Sequence, residues 1–299
     1  MKPLIVGDGT GDENYASPVG ILCSYGEAAG ATVRFLRGIE MTDPLVTVII
    51  PTYNSERAFG QCLAALTNQS YRNIETIVVD NHSSDRTLGM ITGAGVRVIA
   101  VKSSMSEARN IGAAQSKGHY LFHIDSDMEL SPDVIEECVR SCTSNHADAV
   151  IVPEISAGQG YWAECLALGK TLVLGAKGHE GVRFVARDAF QQVGGYDTKL
   201  VAGEDFDFFR RLVAANFRIS RISSTIRHHV GAVTLRRMLA KYSLYGQTID
   251  AYRMKYADQP SDAISIVKLV SERWRTLAGD PFHAVGYAFL LLVAYIIQR

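Results

Sequence analysis

The chain has 299 residues, 47% of them hydrophobic and 20% charged, which is ordinary for a folded soluble protein with a full core. Its formal net charge of −1 gives no overall field that would attract nucleic acid or an anionic membrane. We therefore expect no nucleic-acid partner, and any anionic ligand must be held by local groups.

Five cysteines occur without a C-x-x-C pair: Cys23, Cys62, Cys138, Cys142 and Cys165. Their odd number and spacing predict free thiols in a reducing compartment rather than a disulfide framework or a zinc site. The first residues, "MKPLIVGDGTGDENYASP", lack the long apolar run of a secretory signal. We therefore expect a cytoplasmic protein.

The N-terminal segment, residues 1–40, is Gly-rich and has no clear hydrophobic period, whereas "MTDPLVTVIIPTYN" from Met41 onward is typical of a domain start. Two interpretations stay open. Residues 1–40 are either an extension upstream of a true start at Met41 or a short N-terminal subdomain. We predict an α/β domain over residues 41–232 and a helical tail over residues 233–299.

The α/β domain alternates predicted strands and helices. Its first strand, Val46–Ile50, is a β-branched run typical of a strand covered on both faces. Ser55 is a candidate cap for the next helix, and "SMSE" at residues 104–107 is a capping box for a later one. Further strands are predicted at residues 74–79, 96–101, 120–124 and 148–153. This alternation predicts a Rossmann-like, mostly parallel sheet flanked by helices.

Polar residues follow three of these strands, and ligands of such sheets bind beyond the carboxyl ends of the strands. They are Pro51, Tyr53 and Asn54 after the first strand, Asp80 and Asn81 after the second, and Asp125 and Asp127 after the fourth. We expect all of them to lie along one edge of the sheet.

The segment "HIDSD" ends a buried strand with two carboxylates. Asp125 and Asp127 are two residues apart, so in extended chain they face the same side and repel each other unless a cation or water separates them. Mg²⁺ or Mn²⁺ accepts one or two carboxylates and completes its shell with water and phosphate oxygens. The alternative is a solvated acidic turn that caps the next helix.

A second acidic pair lies in "GGYDTKLVAGEDFDFFRRL", residues 194–212. Gly203 precedes Glu204 and Asp205 at a predicted helix start, where the helix dipole stabilises carboxylates. The pair either complements that dipole or presents a general base to a substrate hydroxyl.

Two further segments carry candidate ligands. In "TIRHHVG", His228 and His229 point to opposite sides if extended, so at most one of them can reach a metal. In "SEARNIGAAQSKG", Arg109 lies early in a helix and suits bidentate phosphate contact, or else a surface salt bridge.

Taken together, these segments resemble glycosyltransferase family 2, whose members have the GT-A fold. The resemblance runs from about Val46 to Gly231 and covers "VTVIIPTYNSERAFGQCLAALTNQSYRNIETIVVDNHSSDRT", "ARNIGAAQSKGHYLFHIDSD", the acidic-pair segment and the His-containing strand in their family order. It implies a GT-A sheet with a C-terminal helical, membrane-associating or packed tail. Two departures are Ser55 before Glu56, and Asn81 where many members have a second aspartate.

The resemblance also implies roles for the site residues. On the donor side, the nucleotide-sugar would contact Pro51, Tyr53, Asp80, Arg109, Asp125 and Ser126. Asp127 would bind the metal, together with His228 or His229. Asp205 would be the catalytic base, with Glu204 beside it.

The implied reaction is metal-dependent inverting transfer of a sugar from a nucleotide-diphosphate sugar to an acceptor hydroxyl, in the synthesis of cell-envelope polysaccharide or glycolipid. The implied cofactors are Mn²⁺ or Mg²⁺ and a UDP-sugar by default, with GDP- and dTDP-sugars open. The acceptor would be a glycan or lipid-linked glycan. Two alternatives remain. A nucleotidyltransferase is disfavoured because "PTYNSERAF" lacks a glycine run, and a non-catalytic nucleotide-sugar-binding scaffold is the other.

The tail begins with a basic amphipathic segment, "TLRRMLAKYSLYGQTIDAYRMKY". It ends with the uncharged "AVGYAFLLLVAYII", which as a helix is about 20 Å long and short of a ~30 Å bilayer core. The apolar segment is a monotopic anchor, a re-entrant segment or a protein interface. We hypothesise peripheral contact with the inner face of the cell membrane, the alternative being helices packed on the catalytic domain.

Overall fold

The computed structural model describes residues 43–176, 178–258 and 266–297, and these residues all fall within one compact unit. The predicted N-terminal extension, the start at Met41 and Cys23 lie outside the described residues. The four other cysteines are buried free thiols, as predicted.

Ten strands and eleven helices are described, and their order along the chain alternates as expected. The strands are β1 (Val46–Thr52), β2 (Ile74–Asp80), β3 (Arg97–Ala100), β4 (Tyr120–His123), β5 (Met128–Leu130), β6 (Ala149–Ile151), β7 (Glu154–Gln159), β8 (Val182–Ala186), β9 (Ile219–Arg221) and β10 (Ile226–Ala232). The helices are α1 (Phe59–Thr67), α2 (Thr87–Gly93), α3 (Met105–Ala114), α4 (Val134–Asn145), α5 (Tyr161–Val173), α6 (Arg187–Gln192), α7 (Glu204–Ala214), α8 (Leu235–Lys255), α9 (Ile266–Glu272), α10 (Trp274–Ala278) and α11 (Pro281–Ile297).

The main sheet has seven strands in the order β3-β2-β1-β4-β8-β6-β9. The pairs β1–β2, β1–β4, β2–β3 and β6–β9 are parallel, so the predicted mostly parallel α/β fold is confirmed. Strand β8 was not predicted. It runs antiparallel between β4 and β6, pairing Phe184 with Phe122.

The sheet is covered on both faces. Every residue of β1 is buried, and its alternation sends Val48 and Ile50 into the core beneath α1 and α4, and Ile49 into the core on the α7 side. Helix α3 packs so closely that a β-carbon at Gly112 would overlap the Ile49 side chain. The parallel strands β1 to β4 therefore end along one edge of a sheet that is packed on both faces.

A second sheet of three strands, β5-β10-β7, lies beside that edge. Strand β10 runs antiparallel to β5, which pairs His228 with Met128, and parallel to β7. Because β5 begins directly after the "DSD" turn, this small sheet brings His228 next to that turn.

The two predicted caps have different outcomes. Ser104 and Glu107 form the capping box of α3, as predicted. The prediction for Ser55 was wrong, since α1 begins only at Phe59 and has no side-chain cap. The Ser55 hydroxyl instead hydrogen-bonds the Ser126 hydroxyl at 2.7 Å, so it joins two loops rather than starting a helix.

The C-terminal helices pack on α5. The Tyr287 ring of α11 lies against Gly169, where a β-carbon would overlap it. In the part of the chain that the structure describes, no helix combines the length and the apolar character needed to cross a membrane.

Candidate active site

The "DSD" turn follows β4, and Asp125 is the less exposed of its two carboxylates, with 20% of its side chain exposed. One carboxylate oxygen accepts a hydrogen bond from Arg109 at 3.1 Å, and the other from Arg183 at 3.5 Å. Burial by itself raises the pKa of Asp125, but Arg183 and Arg109 outweigh burial and hold that pKa well below its usual range. Two guanidinium groups therefore compensate this charge.

Asp127 has a different environment, although it is only two residues away. Its side chain is 36% exposed, and its Oδ2 lies 3.2 Å from Nε2 of His228. The ring of the neighbouring His229 turns the other way and pairs with Glu129 at 2.7 Å. The two histidines thus point to opposite sides of β10, as predicted, and His228 is the one whose ring contacts Asp127.

Arg109 connects the turn to the acidic pair of α7. Its buried guanidinium contacts Asp205 at 3.0 Å and Glu204 at 3.4 Å, in addition to Asp125. It also lies 4.9 Å above the Tyr196 ring centre. All ionic partners described for Arg109 are thus carboxylates of the chain, while the predicted donor contact stays a prediction.

Glu204 and Asp205 open α7 directly after Gly203, which has a left-handed φ of 81°. The Glu204 side chain is 17% exposed and the Asp205 side chain 34%. Burial and the Asp205 charge raise the pKa of Glu204 to about 7, against the opposing effect of Arg109. Near neutral pH Glu204 is therefore partly protonated.

Arg183 is a site residue that sequence reasoning missed. It lies on β8, its side chain is almost fully buried, and it pairs with Glu154 and Asp125 and donates to the carbonyl oxygen of His123. Burial raises the pKa of Glu154, but Arg183 and then Lys170 lower it to about 2. The available signal was an arginine inside the apolar run "VRFVA", since a buried charge requires a partner.

The residues predicted for the nucleoside side follow the neighbouring ends of β1 and β2, where Thr52 pairs with Asp80. Asp80 is buried and accepts hydrogen bonds from the backbone N–H of Ser83 at 2.9 Å and from its hydroxyl at 2.5 Å. Pro51 is buried in β1, whereas Tyr53 is exposed beyond its end. Ser126 joins this side of the site because its hydroxyl hydrogen-bonds the Ser55 hydroxyl.

Within residues 43–176, 178–258 and 266–297, no cluster of three or more His, Cys, Asp or Glu side chains is arranged to hold a metal ion. The Asp127–His228 pair supplies two ligands. Such a pair suits Mg²⁺ or Mn²⁺ when diphosphate and water oxygens complete the shell. Asp125 fits less well, because both of its oxygens already accept from arginines.

The acidic turn, the paired histidine and the acidic helix start thus lie close together. A family model for glycosyl transferase family 2 matches residues 47–164, and one described as the N-terminal domain of galactosyltransferase matches residues 176–232. The predicted likeness to glycosyltransferase family 2 is therefore confirmed over residues 47–164. The sequence predicted a protein of the glycosyltransferase class, and the family models confirm that class.

Curated relatives are similar over part of their length. A glycosyltransferase of Haemophilus influenzae is 33% identical over 113 residues, which are 36% of this chain and 45% of that protein. Glycosyltransferase GlyG of Streptococcus pneumoniae is 32% identical over 114 residues, 36% of this chain and 38% of that protein. The chain thus spans less than half the length of these relatives.

Solved structures share the fold at low identity. A mannosyltransferase from Pyrobaculum calidifontis, in complex with GDP-Man and Mn²⁺, superposes with a TM-score of 0.57 at 16% identity, covering 86% of this chain and 88% of that chain. S. aureus TarS in complex with UDP superposes with a TM-score of 0.51 at 19% identity, covering 69% of this chain and 65% of that chain. These likenesses support the GT-A fold.

Proposed function

We propose that the protein is an inverting, metal-dependent glycosyltransferase that moves a sugar from a nucleotide-diphosphate sugar to an acceptor hydroxyl. The observation that carries the proposal is the bridge made by Arg109, which fixes the acidic turn after β4 against the acidic pair of α7. A donor-side carboxylate and an acceptor-side base are thus held in one rigid arrangement. The product belongs to cell-envelope polysaccharide or glycolipid, made at the cytoplasmic face of the membrane.

On the donor side, Asp127 and His228 would hold Mn²⁺ or Mg²⁺, and His229 would not, because its ring faces Glu129. When bound, the ion neutralises the charge that grows on the leaving diphosphate. Tyr53 and Asp80 bind the nucleoside, and the structures of TarS with UDP and of the mannosyltransferase with GDP-Man support a nucleotide-sugar as the donor. UDP is the default nucleotide, and GDP and dTDP are the alternatives.

The remaining donor contacts are assigned by position. Pro51 supports the nucleoside pocket from the end of β1, and Ser126 and Asp125 line the ribose side of the turn. Arg109 is a proposed donor-side residue, and its buried guanidinium also orients Asp125 and Asp205.

On the acceptor side, Asp205 is the general base. It is the more exposed member of its pair, and Arg109 orients one of its oxygens at 3.0 Å. Asp205 takes the proton of the acceptor hydroxyl while that oxygen bonds to the anomeric carbon. The bond from that carbon to the diphosphate oxygen breaks on the opposite side, so the configuration inverts. Glu204 supports Asp205 by sharing Arg109.

Calorimetric titration of UDP, GDP and dTDP, with Mn²⁺, with Mg²⁺ and with EDTA, tests the proposal. We expect one nucleotide to bind in a metal-dependent manner and the affinity to fall roughly tenfold or more in Asp127→Ala. Glu164→Gln, an exposed acidic position on α5, is the matched control and should bind as wild type does. Folded protein that binds no nucleotide under any metal condition would instead favour a non-catalytic scaffold.

A further inference from the structure

Helix α11 presents a broad apolar face to solvent. Its sequence from Pro281 to Ile297 contains no Asp, Glu, Lys or Arg. Its exposed large side chains are Phe282, Val285, Phe289, Leu291, Leu292, Tyr295 and Ile296, and Val285 is 71% exposed. At 100° per residue these positions span about half of the helix circumference. An uncharged exposed face of this breadth is typical of an interaction surface.

The opposite half of α11 is docked on the catalytic domain. Leu290 is buried in a cluster with Cys165 of α5 and Met238 of α8. Gly286 brings the α11 backbone so close to α5 that a β-carbon there would overlap Cys165 and Tyr161. The packing of α11 on α5 and α8 therefore fixes the position of its exposed face.

Basic side chains lie on the elements that adjoin this helix. The first turns of α8 pack on α11 through Leu235 and Met238, and the intervening Arg236 and Arg237 are exposed, as is Lys241 one turn later. Between Leu235 and Ile249, α8 contains no acidic residue. Helix α10 ends two residues before α11 begins, and its Arg275 lies 5.8 Å from the ring of the exposed Trp274.

We propose that the outward face of α11 enters the acyl boundary of an anionic lipid bilayer, with the basic residues of α8 and α10 on the lipid headgroups. An apolar face beside Lys and Arg, with tryptophan at its margin, suits a membrane interface. A second copy of the chain fits less well. A coiled-coil seam is a narrow stripe with charges on its flanks, whereas this helix has neither feature.

The lipid surface would lie close to the candidate active site. Helix α5 contacts α11 through Tyr161 and Cys165, and its Lys170 pairs with Glu154, the partner of Arg183. One helix thus separates the apolar face from the buried charges of the site. If the proposed function holds, the acceptor is a glycan carried on a lipid in that same surface.

Vesicle co-sedimentation of the full chain tests the proposal. We expect the wild type to pellet with phosphatidylcholine vesicles containing roughly a third phosphatidylglycerol, and far less with phosphatidylcholine alone. Val285→Glu combined with Leu292→Glu should weaken binding roughly tenfold or more, because both charges would enter the acyl boundary. Replacing Arg236, Arg237 and Lys241 by Gln should weaken it roughly fivefold per charge at low salt.

Leu88→Glu combined with Val213→Glu, exposed apolar positions of α2 and α7, is the matched control and should pellet as wild type does. Circular dichroism and nucleotide titration on the same samples verify that each variant is folded. Monodisperse wild type that binds no vesicle, or undiminished binding by the α11 variant, would overturn the proposal. So would a dimer that the α11 variant converts to monomer. Vesicle binding without nucleotide binding would reject the proposed function and leave the lipid surface standing.

Discussion

The two carboxylates of the "DSD" turn face opposite kinds of environment. Asp125 is largely buried between Arg109 and Arg183, and Arg183 also compensates Glu154. Asp127 is more exposed, and among the described residues its carboxylate hydrogen-bonds with His228. We refer to the first set, Arg109, Asp125, Glu154 and Arg183, as the buried half of the site. Asp127 and His228 form the open half.

This difference indicates which charges hold the fold and which remain for a ligand. In the buried half, guanidinium groups satisfy the carboxylates, and a ligand would have to break buried ion pairs to reach them. In the open half, the side chains of Asp127 and His228 are 36% and 25% exposed, so a ligand can reach both. We therefore propose that this single D-x-D sequence combines a structural aspartate with a ligand-binding one.

Removing Arg183 should have the largest effect on stability. Arg183→Ala leaves Asp125 and Glu154 with one fewer buried partner, so we expect the free energy of unfolding to fall by about 3–5 kcal/mol. Urea denaturation followed by circular dichroism measures this change. Arg86→Met is the control, since Arg86 forms an exposed pair with Glu56 and should leave stability nearly unchanged. Equal losses of unfolding free energy in Arg183→Ala and Arg86→Met would mean that the buried half stabilises the fold no more than an exposed ion pair does.

Asp205 contacts the buried Arg109, while its own side chain is 34% exposed. Asp205→Asn should lower the rate of nucleoside diphosphate release in the presence of acceptor by roughly 10²–10⁴-fold, because the proton acceptor is lost. Nucleotide affinity, measured by calorimetry, should stay as in the wild type. Unchanged turnover in Asp205→Asn, together with lost turnover in Glu204→Gln, would transfer the role of base to Glu204.

Glu204 should make stability depend on pH in an unusual direction. Its pKa is raised to about 7, so the folded state holds a proton that the unfolded state releases between about pH 4.5 and 7. Stability contributed by this group is therefore present below pH 4.5 and is lost as pH rises to 7. We expect Glu204→Gln to be more stable than wild type at pH 8, by on the order of 1–3 kcal/mol.

Thermal unfolding of both proteins from pH 5 to pH 8 measures that difference. Glu164→Gln, which changes an exposed glutamate of α5, should follow the wild-type curve throughout. A Glu204→Gln variant that is less stable at pH 8 than at pH 5, relative to wild type, would mean that Glu204 is a stabilising ion-pair partner of Arg109.

The sequence predicted the parts of the site that depend on local pattern. Strand ends and a helix start determine where Asp80, Asp127 and Asp205 lie, and parallel pairing of β1 with its neighbours brings two of these ends together. Alternation along β10 was enough to predict that His228 and His229 diverge. Such features follow from the period of the chain and the direction of its strands.

The buried half was not predictable in the same way. Arg183 reaches Asp125 only because β8 inserts antiparallel beside β4, a pairing of residues about sixty positions apart in sequence. Register over such a separation is set by the packed sheet rather than by local pattern. Ser55 was misassigned for a related reason, since its partner Ser126 belongs to another loop. Arg109 was placed correctly on α3, but its carboxylate partners come from two distant segments.

The most direct test of this account is anomalous diffraction at the manganese edge from crystals of the protein with Mn²⁺ and the bound nucleotide. The division into halves predicts Mn²⁺ bonded to Asp127, to His228 and to diphosphate oxygens, with Asp125 still paired to both arginines. Mn²⁺ bonded to Asp125 or to His229, with either arginine displaced, would contradict it.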